Sequence, residues 1–252
     1  MYPIIFLWAH PRSMSTAIER MMRERGDLHC LHEPFLRYYY LQRSEKNLTL
    51  FDAAGDHPTS YEATREMILE QAEKQPVFAK DMSYYIIPEL LKDIDFFSRI
   101  KHCFLIRNPV RSLLSYYKLD PYVSLKEIGL ESQWLHFQKA EQWQLKPIVI
   151  EAETVQAHPK PMMERFWSEL GLDYKAHAFD WNTDAPPTDW KYVEGWHQQV
   201  SQSAGIQTES AAQKQRAKDE FAQATQKAPH LKDYLEYHLP AYHALQEYAL
   251  KL

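Results

Sequence analysis

Apolar and polar positions alternate along this chain in two distinct rhythms, and the first change of rhythm comes early. Ile4 to Trp8 form an unbroken apolar run inside Pro3 to Ala9, of the length and side-chain type of a strand buried on both faces. After His10-Pro11-Arg12-Ser13-Met14-Ser15-Thr16 the spacing turns helical. Met14, Ala17, Ile18, Met21 and Met22 define one face, Glu19, Arg20, Arg23 and Glu24 the other, and Gly26 stands where a C-cap belongs. The unit is strand, short polar loop, helix. Four more strands follow by the same reasoning: Leu28 to Leu31, Val77 to Ala79 ending at Lys80-Asp81, Cys103 to Ile106, and Pro147 to Ile150.

Between them the pattern predicts helices. One runs from a Ser60 cap through Gln75 with Tyr61, Thr64, Ile68, Leu69 and Ala72 inward, and Pro76 ends it. A second starts near Pro88 and buries Leu90, Leu91, Ile94, Phe96 and Phe97; a third is capped by Asn108 with Pro109 in its first turn. Trp134, Leu135, Gln138 and Trp143 mark a fourth, and Met162, Met163, Phe166, Trp167 and Leu170 a fifth closed by Gly171. Residues 36 to 58 read as a loop or lid, and 173 to 208 as an irregular excursion. The run from Glu209 to Lys227 reads as a solvated helix, and Leu231 to Leu252 as a helix pair broken at Pro240. Strands separated by helices imply a three-layer α/β domain over 1–252 with a mostly parallel five-stranded sheet. Strand order is not readable from the pattern; the first strand is placed centrally because the anion turns after it and after Ile106 must meet one ligand.

Composition narrows the classes. With 252 residues, 45% of them hydrophobic, the chain can bury one sizeable core. A net charge of −5 gives no basic field, so a small-molecule partner is expected rather than a nucleic acid. Cys30 and Cys103 lie in apolar runs, as buried free thiols of a reducing compartment would. The apolar start lacks a basic leader region and is too short to span a bilayer, so the expected location is cytoplasmic, without a membrane span. His29 and His32 lack metal-ligand spacing, no Gly-x-Ser-x-Gly elbow occurs, and the Gly-x-x-x-x-Gly-Lys-Ser/Thr loop of nucleoside triphosphatases is absent.

The chemistry concentrates in two turns. Arg12, Ser13, Ser15 and Thr16 open a helix, where unpaired N–H groups and the positive end of the dipole suit a phosphate. Arg107 ends a strand and Ser115 lies on the following helix, one turn beyond Arg111, so a guanidinium fork and a hydroxyl can bracket a second phosphate. Pro-Arg-Ser-Met-Ser-Thr resembles the 5′-phosphosulfate loop of sulfotransferases that use 3′-phosphoadenosine 5′-phosphosulfate (PAPS), with Met14 where that loop usually has glycine. Arg107-Asn108-Pro109-Val110-Arg111-Ser112-Leu113-Leu114-Ser115-Tyr116-Tyr117 resembles the family's 3′-phosphate motif, an arginine followed eight residues later by a serine. Glu151 to Leu172 is similar to the segment after the family's last strand.

The resemblance covers roughly residues 3 to 172 and implies the P-loop-like sulfotransferase fold. It implies PAPS, converted to adenosine 3′,5′-bisphosphate, as the nucleotide, held by Arg12, Ser13, Met14, Ser15, Thr16, Arg107 and Ser115, with no metal. In His32-Glu33-Pro34 it implies a general base, Glu33 or else His32. Lys80 at a strand end is either a stabiliser of the transferred group or a surface lysine paired with Asp81. The acceptor would be a hydroxyl or amine on a small molecule, sugar or lipid-like compound, with Tyr38 to Tyr40 as lining or core edge, and Tyr84, Tyr85 and the late tryptophans Trp181, Trp190 and Trp196 as further aromatic surface. Lys191 to Trp196 matches the family's late loop poorly and takes no role. A small-molecule kinase on a related sheet, or a non-catalytic nucleotide-binding scaffold, remains the alternative.

Overall fold

β1 (Ile4–Ala9) is buried at all six positions, because it pairs in parallel with β3 (Val77–Met82) on one side and β4 (Ile100–Ile106) on the other. β2 (His29–His32) adds to β3 and β5 (Ile148–Glu151) to β4, giving the all-parallel order β2-β3-β1-β4-β5. The computed structural model describes residues 1–44, 57–181, 187–193, 195–196, 205–206, 208 and 210–252.

Strand alternation divides the core. Ile5 and Leu7 join Phe78, Cys103, Leu105 and Ile150 beneath α1 (Ser15–Glu24) and the Pro159–Leu170 helix. Ile4, Phe6 and Trp8 face the opposite core, covered by helices that include Tyr61–Lys74, Ser83–Leu90, Pro109–Leu119, Leu130–Gln142 and His230–Glu247. These are the three layers that the pattern predicts, and the first strand is central, as expected if both anion turns are to meet one ligand. At the outer edge Leu250 N–H donates to Val149 C=O at 2.9 Å, so the last residues bridge onto β5.

The second core holds a closed polar chain. Trp8 Nε1–H donates to His102 Nδ1 at 3.0 Å and His102 Nε2–H to Phe97 C=O at 3.0 Å. His136 Nε2–H shares the His102 Nδ1 acceptor at 3.1 Å, and Ser83 O–H donates to His136 Nδ1 at 3.1 Å. Only two neutral imidazoles satisfy every atom, so burial here excludes the charged forms. Accordingly His102 is pushed down to about 4 by burial, and His136 is lowered by burial and by His102.

Several elements depart from the sequence pattern. Lys80 and Asp81 lie inside β3 and are fully buried, so Lys80 is no surface residue. Residues 36–43 are helical rather than loop, with Tyr39 and Tyr40 in the core; residues 45 to 56 of that stretch lie outside the described residues. Pro88 sits near the end of the Ser83–Leu90 helix, and a separate helix, Ile94–Arg99, is capped by Asp93 and leaves Ile94 exposed. The Leu130–Gln142 stripe is Leu130, Gln133, His136, Phe137 and Ala140, with Leu135 exposed. His230–Glu247 passes through Pro240 unbroken because Leu231, His238, Ala241, Tyr242 and Leu245 are buried on both sides of it. Glu19 and Arg20 are buried, not on a solvated face.

Candidate active site

The loop between β1 and α1 is shaped by two residues in left-handed conformations, Arg12 (φ 64°) and Met14 (φ 76°). Ser13 N–H donates to His10 C=O at 3.2 Å, closing the turn, and Met14 is the N-cap of α1 with no side chain capping the helix. Ser13 Oγ is buried without a hydrogen-bond partner among the described residues. A buried hydroxyl without a partner, at an uncapped helix N-terminus, is an anion-binding feature.

The second turn is brought directly against the first. Arg107 Nη1–H donates to Arg12 C=O at 2.9 Å, and Arg12 Nε–H donates to Ser115 Oγ at 2.9 Å. Arg107 N–H donates to His10 Nε2 at 3.1 Å, so His10 ties the end of β1 to the end of β4. Asn108 accepts from Val110 N–H to cap the Pro109–Leu119 helix, while Glu153 accepts from Asn108 N–H at 3.1 Å.

The electrostatics favour an anion. Burial, then the neighbouring Arg107 charge, pushes Arg12 down to about 10. Arg107 is lowered by burial, only partly offset by Glu153, and its Nε is buried without a partner among the described residues. His10 is pushed down to about 3 by burial and then by Arg107, so it accepts as a neutral ring. Two guanidiniums that share one buried neighbourhood repel each other until a negative group joins them. Arg12 Nη1–H meanwhile donates to Trp196 C=O at 2.7 Å, and the Trp196 ring packs edge-on against Tyr116 at 5.1 Å. Trp196 therefore lies at this site, although the sequence assigns its segment no role.

A second group lies at the ends of β2 and β3. The Glu33 N–H donates to Lys80 C=O at 2.8 Å, extending the ladder, and Glu33 takes φ 41° as the chain turns into Pro34. That turn aims its carboxylate at Lys80 Nζ, with which it forms a hydrogen-bonded ion pair, and Tyr85 O–H donates to its other oxygen at 3.2 Å. Burial would raise the Glu33 pKa, but Lys80 and His32 prevail and hold it below the usual carboxylate range. Asp81, whose carboxylate accepts N–H groups of Phe35 and Met82, is raised by burial and by Glu33.

The structure thus gathers Arg12, Ser13, Arg107 and Ser115 in one place and Glu33, His32 and Lys80 in another, with α1 running from the first towards the second. Lys80 pairs with Glu33 and not with Asp81. His10, Glu153 and Glu19 were not legible as site residues; for His10 the only signal was a histidine between a strand end and a proline. Among the described residues no cluster of His, Cys, Asp or Glu could hold a metal ion, and no helix is long and apolar enough to cross a membrane.

Comparison with known proteins bears on the fold and the family. Two Arabidopsis thaliana proteins, branched-chain-amino-acid aminotransferase-like proteins 2 and 1, are each 26% identical over 209 residues; the match takes 81% of this chain and 36% of each relative. The chain thus spans about a third of their length. The sulfotransferase domain of a Synechococcus PCC 7002 olefin synthase superposes with a TM-score of 0.50 at 17% identity, covering 87% of this chain and 94% of that one. A sulfotransferase from Alicyclobacillus acidocaldarius gives 0.50 at 14% identity, covering 73% and 88%. The profile of the sulfotransferase domain family matches residues 3–233, which hold the whole sheet and both arginine turns, and the chain belongs to that family.

Proposed function

We propose that this sulfotransferase moves a sulfuryl group from PAPS to a hydroxyl or amine on a small-molecule, sugar or lipid-like acceptor, releasing adenosine 3′,5′-bisphosphate. The observation that carries the reading is the junction of the two arginine turns, Arg107 on the Arg12 carbonyl and Arg12 on Ser115. It supports one doubly phosphorylated ligand in place of two unrelated anion sites. The buried unpartnered Ser13 Oγ and Arg107 Nε fit such a ligand.

In this reading the N–H groups and hydroxyls from Ser13 to Thr16, with Arg12, hold the 5′-phosphate and absorb its charge as the bond from sulfur to the bridging oxygen breaks. Arg107 and Ser115 hold the 3′-phosphate. The acceptor oxygen or nitrogen forms the new bond to sulfur and gives its proton to Glu33, which is ionised at neutral pH. Lys80 keeps Glu33 ionised and meets negative charge on the transferred group. His32 is the second candidate base. The free thiols Cys30 and Cys103, both pushed up by burial, support a reducing, cytoplasmic setting.

Calorimetry with adenosine 3′,5′-bisphosphate and turnover with labelled PAPS test this. Arg107→Ala should weaken bisphosphate affinity roughly tenfold or more, the loss of a charge-assisted hydrogen bond. Glu33→Gln should lower turnover with affinity kept. Tighter binding of ATP than of the bisphosphate would make the protein a kinase. Binding without transfer to any acceptor would make it a scaffold.

A further inference from the structure

Glu19 has no part in the mechanism above, yet it is fully buried and hydrogen-bonded through both oxygens. It lies on α1 four residues after Ser15, one turn below the anion loop on the same side of the helix. Its Oε2 accepts from His32 Nδ1 at 2.6 Å and faces Lys80 Nζ at 3.8 Å. Its Oε1 accepts from Arg23 at 2.8 Å and from Trp190 Nε1–H at 3.0 Å. Arg23 is also paired with Asp189 at 2.5 Å. Three elements, α1, β2 and β3, therefore meet on one carboxylate.

An ionised carboxylate only accepts, so the hydrogen of His32 must sit on Nδ1. The ring then turns Nε2 towards Glu33, whose Oε1 is 3.9 Å away. Lys80 lies between the two glutamates, hydrogen-bonded to Glu33 and within ion-pair range of Glu19. Without Glu19, Glu33 would face the whole charge of Lys80 and a His32 ring that has lost its Nδ1 acceptor.

We propose that Glu19 is a positioning residue for proton removal in sulfuryl transfer: it fixes the His32 ring with its hydrogen on Nδ1 and divides the charge of Lys80, so that Glu33 remains basic enough to take the acceptor's proton. The inference rests on the sulfuryl-transfer reading. The charged and titratable groups facing this unit are His32, Lys80, Arg23, Glu33 and Cys30, with Asp81 behind Glu33 and Asp189 behind Arg23. None of them replaces the Glu19 carboxylate at both His32 and Lys80.

The test combines 15N spectroscopy of imidazole nitrogens in the wild-type protein with Glu19→Gln and Glu19→Asp variants, assayed against pH with labelled PAPS and water or a screened acceptor. Wild-type His32 should carry hydrogen on Nδ1. Glu19→Gln should lower turnover roughly tenfold, a part of the roughly hundredfold or more that a general base contributes, since Glu33 stays in place but becomes less basic. It should also move the acid limb of the pH–rate profile to lower pH, because Glu33 loses a neighbouring negative charge. Affinity for adenosine 3′,5′-bisphosphate should stay within about twofold, and Glu19→Asp should recover part of the turnover. A wild-type His32 with hydrogen on Nε2 alone, or an unmoved pH profile in Glu19→Gln, overturns the proposal. If Glu19→Gln fails to fold, the wild-type ring state and the pH profile of Glu19→Asp decide it. If the wild-type protein does not bind the bisphosphate, the sulfuryl-transfer reading fails instead, and the ring state still reports whether Glu19 orients His32.

Discussion

Met14 holds a backbone conformation that L side chains adopt at a cost, φ 76°, at the position where related loops usually have glycine. Its side chain partly offsets that cost by packing against the core under α1. Glycine should therefore be better tolerated than alanine here: both lose the packing, but only alanine retains the strain. Urea melting should place Met14→Gly about 1 kcal/mol above Met14→Ala in stability. Single residues were legible where a rigid neighbour fixed them. Arg12, Arg107 and Ser115 sit at set distances from a strand end or a proline, so spacing and the family resemblance together picked them out as candidates, and the structure brings them side by side. Glu19 was not, because helical periodicity counts a glutamate as polar and hence as solvated. The approach of His32 and Lys80 from two other strands, with Arg23 and Trp190 on its other oxygen, makes its burial tolerable.

At the scale of elements, β2 is joined to β3 both by its ladder and by the Glu33–Lys80 ion pair. Lys80→Met should destabilise the fold by about 3–5 kcal/mol, since it leaves Glu19 and Glu33 buried without their shared cation. Adding Glu33→Gln should recover part of the loss, and a double-mutant cycle by urea denaturation would measure the coupling. The strands were readable because a parallel sheet covered on both faces forces continuous apolar runs. Two helices were not, since Pro88 and Pro240 argue locally for a break. Proline inside a helix costs about 3 kcal/mol, and burying several large side chains at about 1.5–3 kcal/mol each outweighs it. Tyr84, Ile86 and Leu90 supply that burial for the first helix; Leu231, Tyr242 and Leu245 do so for the second.

For the molecule as a whole, the two cores differ in their response to acid. The Trp8–His102–His136–Ser83 chain is satisfied only with both rings neutral, and His10 is likewise held neutral between the two arginine turns. In the unfolded chain these rings bind protons below about pH 6.5, whereas in the folded protein they resist until about 4 for His102 and about 3 for His10. Their contribution is therefore fully present above pH 6.5 and is lost progressively as pH falls from there towards 4. His102 alone accounts for on the order of 3 kcal/mol. The lowered carboxylates Glu19 and Glu33 act in the same direction, but only below the ordinary glutamate range. Asp81 and Glu153, raised chiefly by burial, act the other way, since they bind protons more readily folded than unfolded. Denaturation midpoints should begin to drop near pH 6.5 as the histidines' contribution goes, above the range in which Glu19 and Glu33 take up protons.

The strand order has a consequence for synthesis. β1 is the middle of the sheet, yet its two neighbours begin only at Val77 and Ile100. A nascent polypeptide halted on the ribosome before residue 106 has no complete pair of flanks for its most apolar stretch, and must carry it sticky or chaperoned until β4 emerges. Protease protection of β1 in arrested chains should therefore appear abruptly once residues through Ile106 clear the exit tunnel, not gradually with length.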